Sequence, residues 1–319
     1  MRTNVEAIRV PSPTPTPRTS ACGAARVREA VTATRWARVH AAVASSRGRQ
    51  HAVNEDEHSP LDGNAGLFVV ADGVGSGALA SCASRELVAH IHAVLGHGRV
   101  GADAVRTAIL GADREIARSI ARRTSTPGAA TVALCVAINA RRSQWLVAWV
   151  GDCRVYRLGA SCGDGTELLT VDDTYRHLNE RSPSGGCPDD PARMVGNGAV
   201  DAPNVRKIEL SAGEMLVLCS DGIHRHAAAG DIARVLRTSA SLGERCARLV
   251  EFARERGSSD DATVLVVQPS SGAAARIARG ISLALVIALL AAAGAWLATH
   301  DTVSRLFAQA NVNVPKVQP

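Results

Sequence analysis

Four apolar runs in this chain begin or end at an acid. "LFVVA" (67–71) leads into Asp72, "WLVAWVG" (145–151) into Asp152 and "MLVLCS" (215–220) into Asp221, whereas "ATVLVV" (262–267) is preceded by Asp260 and Asp261. An acidic turn, Asn54-Glu55-Asp56, follows "GRQHAV". Runs of this kind read as buried strands, and a carboxylate carried to the end of one is costly unless a cation meets it. Strands stacked in register would bring these acids to one edge of a core. Four or more clustered carboxylates cannot all stay ionised there without cations. Hard oxygen ligands with little nitrogen or sulfur select Mg2+ or Mn2+ over zinc. Three glycines follow Asp72 within five residues (Gly73, Gly75, Gly77), so backbone and water can come close to whatever Asp72 holds.

Further strand-like runs are "TVALCVAI" (131–138), "QWLVAWV" (144–150) and "RVYRL" (154–158). Helical spacing of apolar residues covers Ser84–Leu95, Asp103–Arg123 and Leu242–Arg256. Two adjacent helices, strands in runs and a late helix before a final strand predict an α+β fold, not a βαβ alternation. Residues 159–207 are rich in Gly, Pro, Asp and Ser and read as a long surface insertion.

The flanks differ from this middle. "VPSPTPTPRTS" marks residues 1–30 as an extended Pro/Thr-rich tail, with regular structure expected from about Thr32. The folded unit is expected over 31–269, followed by a basic linker at 270–279. Residues 280–299, "GISLALVIALLAAAGAWLAT", carry no charge over twenty positions, the length of a membrane-spanning helix, and a short tail completes the chain to 319. Arg276 and Arg279 before the span favour a cytoplasmic location for the large N-terminal part. The formal charge of +6 lies in these flanks, because residues 31–269 hold 27 basic and 27 acidic side chains. A nucleic-acid binder would concentrate basic charge on the folded part, so nucleic acid is not an expected partner. The eight cysteines contain no close C-x-x-C pair, which argues against structural zinc.

In order, "NED" (54–56), "ADGVGSG" (71–77), "PGAATVAL" (127–134), "VGDCRVY" (150–156), "LTVDDT" (169–174), "LCSDGI" (218–223) and "SSDDATVLVV" (258–267) resemble the successive signature blocks of the metal-dependent protein serine/threonine phosphatases of the type 2C class, bacterial type. The resemblance covers roughly residues 32–268. It implies a four-layer α/β/β/α sandwich around two antiparallel sheets, with an acid-lined cleft at one end. It also implies hydrolysis of phosphoserine and phosphothreonine in proteins by a metal-bound hydroxide, in opposition to a serine/threonine kinase. Asp56, Asp72, Asp221 and Asp260 would hold two Mn2+ or Mg2+ ions, Asp72 bridging them and Gly73 adding its carbonyl. Asp152 would help Asp221 hold a third, weaker ion. Glu55 would orient metal-bound waters, and Asp261, where the family often has Asn, would stand behind the ligands.

The sequence departs from the family in three places. The Arg that usually clamps the substrate phosphate, five residues before the first acid, is here His51, with Arg49 nearby. Either could contact phosphate, although a His lacks the bidentate fork of Arg. Val74 stands where animal members often carry a His, and Cys153 replaces a Ser. The altered phosphate loop leaves one competing expectation: a pseudophosphatase scaffold that binds phosphoproteins at the membrane without turnover.

Overall fold

The computed structural model describes residues 24–272, apart from positions 65, 76, 97, 99, 125, 127, 162–164 and 199, together with 277, 280, 281 and 284–297. One sheet contains β1 (Arg26–Ala33), β2 (Ala37–Ser46), β7 (Arg154–Leu158), β8 (Thr166–Leu168), β10 (Met215–Cys219) and β11 (Ala262–Ser271), ordered β1-β2-β11-β10-β7-β8. The other contains β3 (Asp56–His58), β4 (Leu67–Val74), β5 (Ala129–Ala137), β6 (Gln144–Val150) and β9 (Asn204–Glu209), in the order β3-β4-β5-β6-β9. Every pairing is antiparallel.

Period-two alternation in β4 shows how the layers form. Leu67, Val69 and Ala71 pack with Leu87, Ile91, Ile109 and Ile116 of α1 (Ala78–Leu95) and α2 (Ala102–Ala121). Phe68 and Val70 face the other way, into the layer shared with Val43, Leu216 and Leu265 of the opposite sheet. Strand β5 is buried at all nine positions, which is why its sequence reads as a continuous apolar run and not an alternating one. On the outer face of the first sheet lie α4 (Ala229–Leu236) and α5 (Leu242–Glu255), packed through Ile232, Leu236, Leu249 and Val250. A capping box between Ser241 and Glu244 starts α5 by satisfying amide donors that have no partner inside the helix. The four layers and the α+β class thus agree with the expected architecture.

Several boundaries differ. Strand β1 starts at Arg26, inside the segment expected as tail. Its residues are mostly exposed and three of the eight are charged, as in many edge strands, and its order comes from eight paired positions with β2. The alanine-rich β2, "ARVHAAVASS", carries only Val39 and Val43 of the β-branched and aromatic signal of a strand. The 159–207 segment is not a simple surface excursion: it supplies β8 and the start of β9, and buries Leu169, Thr170, Thr174 and Val195. The Pro/Thr-rich tail through residue 23, most of the 270–279 linker and residues 298–319 lie outside the described residues. Among the described residues no helix is long and apolar enough to cross a membrane. The expected span is described over 284–297, where it is helical with Leu285, Leu289 and Leu290 exposed; its remaining positions are largely outside the described set.

Trp145 fills the layer between the sheets with no exposed surface, its ring 6.3 Å from that of Phe68 and its Nε1–H donating to the Arg142 carbonyl at 2.8 Å. Trp145→Ala is expected to cost about 3–5 kcal/mol in denaturant unfolding; a loss under about 1 kcal/mol would contradict this packing.

Candidate metal centre

The strand directions bring the acids together. β4 ends at the same end of the sandwich at which β5 begins, with Gly73 opposite Ala130. β6 also ends there and turns through Gly151 to Asp152. In the other sheet β10 runs out into Ser220 and Asp221, where the one-turn helix α3 (Asp221–His224) starts, while β11 begins just after Asp260 and Asp261. Asp72 is the next residue after Val70 on the inter-sheet side of β4, and Asp56 is its direct partner on β3. The carboxylates therefore sit at the open end of the apolar layer.

Burial and mutual repulsion act on them together. Burial raises the pKa of Asp72 well above the carboxylate range, and the charges of Asp56, Asp221, Asp152 and Asp260 push it further. Asp56 is raised in the same way, against an opposing hydrogen bond from the Ser220 hydroxyl, whose Oγ lies 2.7 Å from Asp56 Oδ2. Ser220 Oγ also accepts the Thr263 amide at 3.0 Å, and Thr263 Oγ1 lies 2.7 Å from Ser45 Oγ. Hydrogen bonds through the Ser220 hydroxyl and the amide and hydroxyl of Thr263 thus link Asp56 to the opposite sheet. Burial raises Asp221 too, against Arg225, and moves Asp152 up to about 7, aided by the charge of Asp221.

These residues fit divalent cations. Asp56 Oδ1 is buried without a hydrogen-bond partner among the described residues, a state that costs free energy unless a cation is bound there. The gathered donors are oxygens, the set that Mg2+ and Mn2+ prefer. Gly73 lies so close to the first turn of α1 that a Cβ would stand 2.4 Å from the Ala80 carbonyl oxygen. Only glycine can occupy that position. Its amide donates to the Glu55 carbonyl at 3.1 Å, which ties the acidic turn to the end of β4.

Asp260 sits at the rim with a partly exposed side chain, whereas Asp261 is buried. Asp261 Oδ1 accepts the Gly48 amide and Oδ2 the Glu55 amide, both at 2.6 Å, and Oδ2 also accepts from His51 Nδ1 at 2.9 Å. Asp261 therefore holds the 48–55 loop in place, in keeping with a position behind the ligands. His51, Asp260 and Asp261 bring ligand atoms within 4.8 Å of one another; the His51–Asp261 ion pair accounts for that approach without a metal. Burial lowers the His51 pKa, but the hydrogen bond and charge of Asp261, with Glu55 and Asp260, outweigh it and raise it overall. Glu55 is itself buried, and burial raises its pKa. Arg49 is exposed, and its backbone amide donates to the Ser259 carbonyl at 2.8 Å. Buried Cys153 lies 3.2 Å from the Thr131 hydroxyl.

Two residues at the site were not singled out by sequence reasoning. Arg225 donates from Nη2 to Asp152 Oδ2 at 3.0 Å and from Nε to Asp221 Oδ2 at 3.1 Å. His224 donates from Nε2 to the Asp152 carbonyl at 2.9 Å; burial lowers its pKa to about 3, so it is neutral. The four-residue interval from Asp221 to Arg225, one helical turn, was the available signal. The 169–195 segment completes the support of Asp152: Asp173 Oδ2 accepts the Gly151 amide at 3.0 Å, and Gly151, at φ +93°, has no room for a Cβ beside Thr131.

A sandwich of this kind, with clustered carboxylates at one end, defines a domain suited to hold divalent cations. Residues 44–265 match the protein phosphatase 2C family, and the chain belongs to that family. It is 29% identical over 268 residues to the rice (Oryza sativa subsp. japonica) protein "Probable protein phosphatase 2C 74", a match covering 70% of this chain and 64% of that protein. The chain thus spans just under two thirds of that relative's length. Among solved structures it resembles PppA, described as a key regulatory component of the type VI secretion system in Pseudomonas aeruginosa (26% identity, TM-score 0.62, covering 75% of this chain and 99% of that one). It also shares the fold of the catalytic domain of the serine/threonine phosphatase PstP in complex with two manganese ions (23% identity, TM-score 0.62, covering 73% and 98%). The 44–265 region is accordingly a protein phosphatase 2C domain, and its acidic cluster offers the oxygen donors that Mn2+ and Mg2+ take.

The raised carboxyls make the metal-free protein sensitive to pH. Asp152 titrates at about 7 when folded against about 4 when unfolded, so the folded state binds more protons and stability falls as pH rises through that window. In EDTA the melting temperature is expected to drop between about pH 5 and about pH 8, and saturating Mn2+ is expected to flatten the profile. A chelated protein with a flat profile would contradict these environments.

Proposed function

We propose that this chain hydrolyses phosphoserine and phosphothreonine in proteins, and so reverses the work of a serine/threonine kinase at a membrane. The observation that carries this reading is the convergence of Asp56, Asp72, Asp221 and Asp260, from four separate strand ends, on one end of the sandwich. Two divalent ions held there would lower the pKa of a water and neutralise phosphoryl oxygens. The protein's own part is to fix these ligands on strand ends, with Gly73 letting α1 and the acidic turn pack against the end of β4. His51, oriented by Asp261 and 28% exposed in its side chain, is the donor we assign to the substrate phosphate, in preference to exposed Arg49. Glu55 would order water beside the ions.

Asp72→Asn and Asp221→Asn are each expected to reduce Mn2+-dependent release of phosphate from a phosphothreonine peptide by more than about 100-fold while leaving the far-ultraviolet circular dichroism unchanged. Unchanged rates in either variant would overturn the assignment. A wild-type chain that binds Mn2+ but releases no phosphate would instead be the phosphoprotein-binding scaffold.

Membrane attachment through residues 280–299 is supported by twenty uncharged positions, by the helical and exposed state of 284–297 and by Arg276 and Arg279 on the domain side. Such a helix would tether the phosphatase domain on the cytoplasmic face. Deletion of residues 276–319 is expected to move the protein from the membrane pellet to the supernatant with its specific activity intact. Retention in the pellet would refute the anchor.

A further inference from the structure

The resemblance to the phosphatase family implies a third ion between Asp152 and Asp221, and in this chain that place already holds a cation. Five aspartates surround the centre: Asp56, Asp72, Asp152, Asp221 and Asp260. Two divalent ions neutralise four of their charges. The guanidinium of Arg225 supplies the fifth, through Nη2 to Asp152 at 3.0 Å and Nε to Asp221 at 3.1 Å.

The guanidinium is placed by more than those two acids. Arg225 lies one helical turn after Asp221, so a single turn of backbone sets their approach. Its Nη2 also donates to the Asp189 carbonyl at 3.2 Å, and the preceding residue, His224, holds the Asp152 carbonyl at 2.9 Å. The Asp152 and Asp221 side chains are only 5% and 11% exposed, and breaking a buried pair of this kind strands a charge. A divalent ion entering between these carboxylates would have to expel the guanidinium and then stand beside it.

Taking the acidic cluster as the family's metal centre, we infer that Arg225 is a built-in third cation: the centre binds two divalent ions, and Asp152 serves as an anchor for α3, not as a metal ligand. Arg225 is in this sense a positioning residue that fixes Asp221 through its carboxylate. The specific prediction is a metal stoichiometry set by one side chain.

The test is a Mn2+ titration of the full-length chain in mild detergent without substrate, followed by calorimetry and by the electron paramagnetic resonance signal of free Mn2+. The expected count is two bound ions for the wild type and for Arg225→Lys, which keeps the charge, and three for Arg225→Ala. Three ions in the wild type would overturn the inference, as would two in a folded Arg225→Ala. If Arg225→Ala does not fold, the wild-type and Arg225→Lys counts decide by themselves. A chain that binds two ions yet releases no phosphate would sink the hydrolytic reading and leave this one standing.

Discussion

Asp56 and Asp72 face each other across an antiparallel pair of strands, and two carboxylates so placed repel one another strongly in a buried setting. The rest of the domain is arranged around that repulsion. Three further strand ends, drawn from both sheets, and a one-turn helix deliver more acids to the same place, where each makes the others harder to ionise. A fold that only had to be stable would not gather such groups. Their cost is intelligible when divalent cations join the structure, because ion binding then becomes part of what holds the folded state together.

Much of this was legible in the sequence because the acids lie next to apolar runs of strand length, and those runs are buried on one or both faces. "LFVVA" and "TVALCVAI" needed no tertiary knowledge to read as strands, and β4 and β5 overlap them. The elements that escaped notice are those whose order comes from partners. β1 is mostly exposed and exists as a strand because β2 pairs with it; β2, with four alanines in ten residues, owes its state to burial between β1 and β11. The 159–207 segment has the composition of a loop, yet its bridges from Thr174 to Pro191 and from Ala130 to Val195 fold it back onto the site.

The site divides along the same line. The acids announced themselves by position, and Asp261 turns out to hold the 48–55 loop through three hydrogen bonds. What position could not show is which charge answers which. His51 is aligned with the loop expected to clamp phosphate, but its Nδ1 is committed to Asp261. Arg225, unremarkable in the string "DGIHRH", joins two of the acids. Pairings of this kind depend on distances between strand ends, and those distances are set by the packing of both sheets.

The hydrogen-bonded line from Ser45 through Thr263 and Ser220 to Asp56 crosses from one sheet to the other. It acts as a rivet at the acidic end of the sandwich. Sliding of one layer over the other would tear Asp56 from Ser220, and close packing of the interior passes such strain on without absorbing it. The same carboxylate that answers to its charged neighbours is therefore also the point at which the two layers are pinned in register.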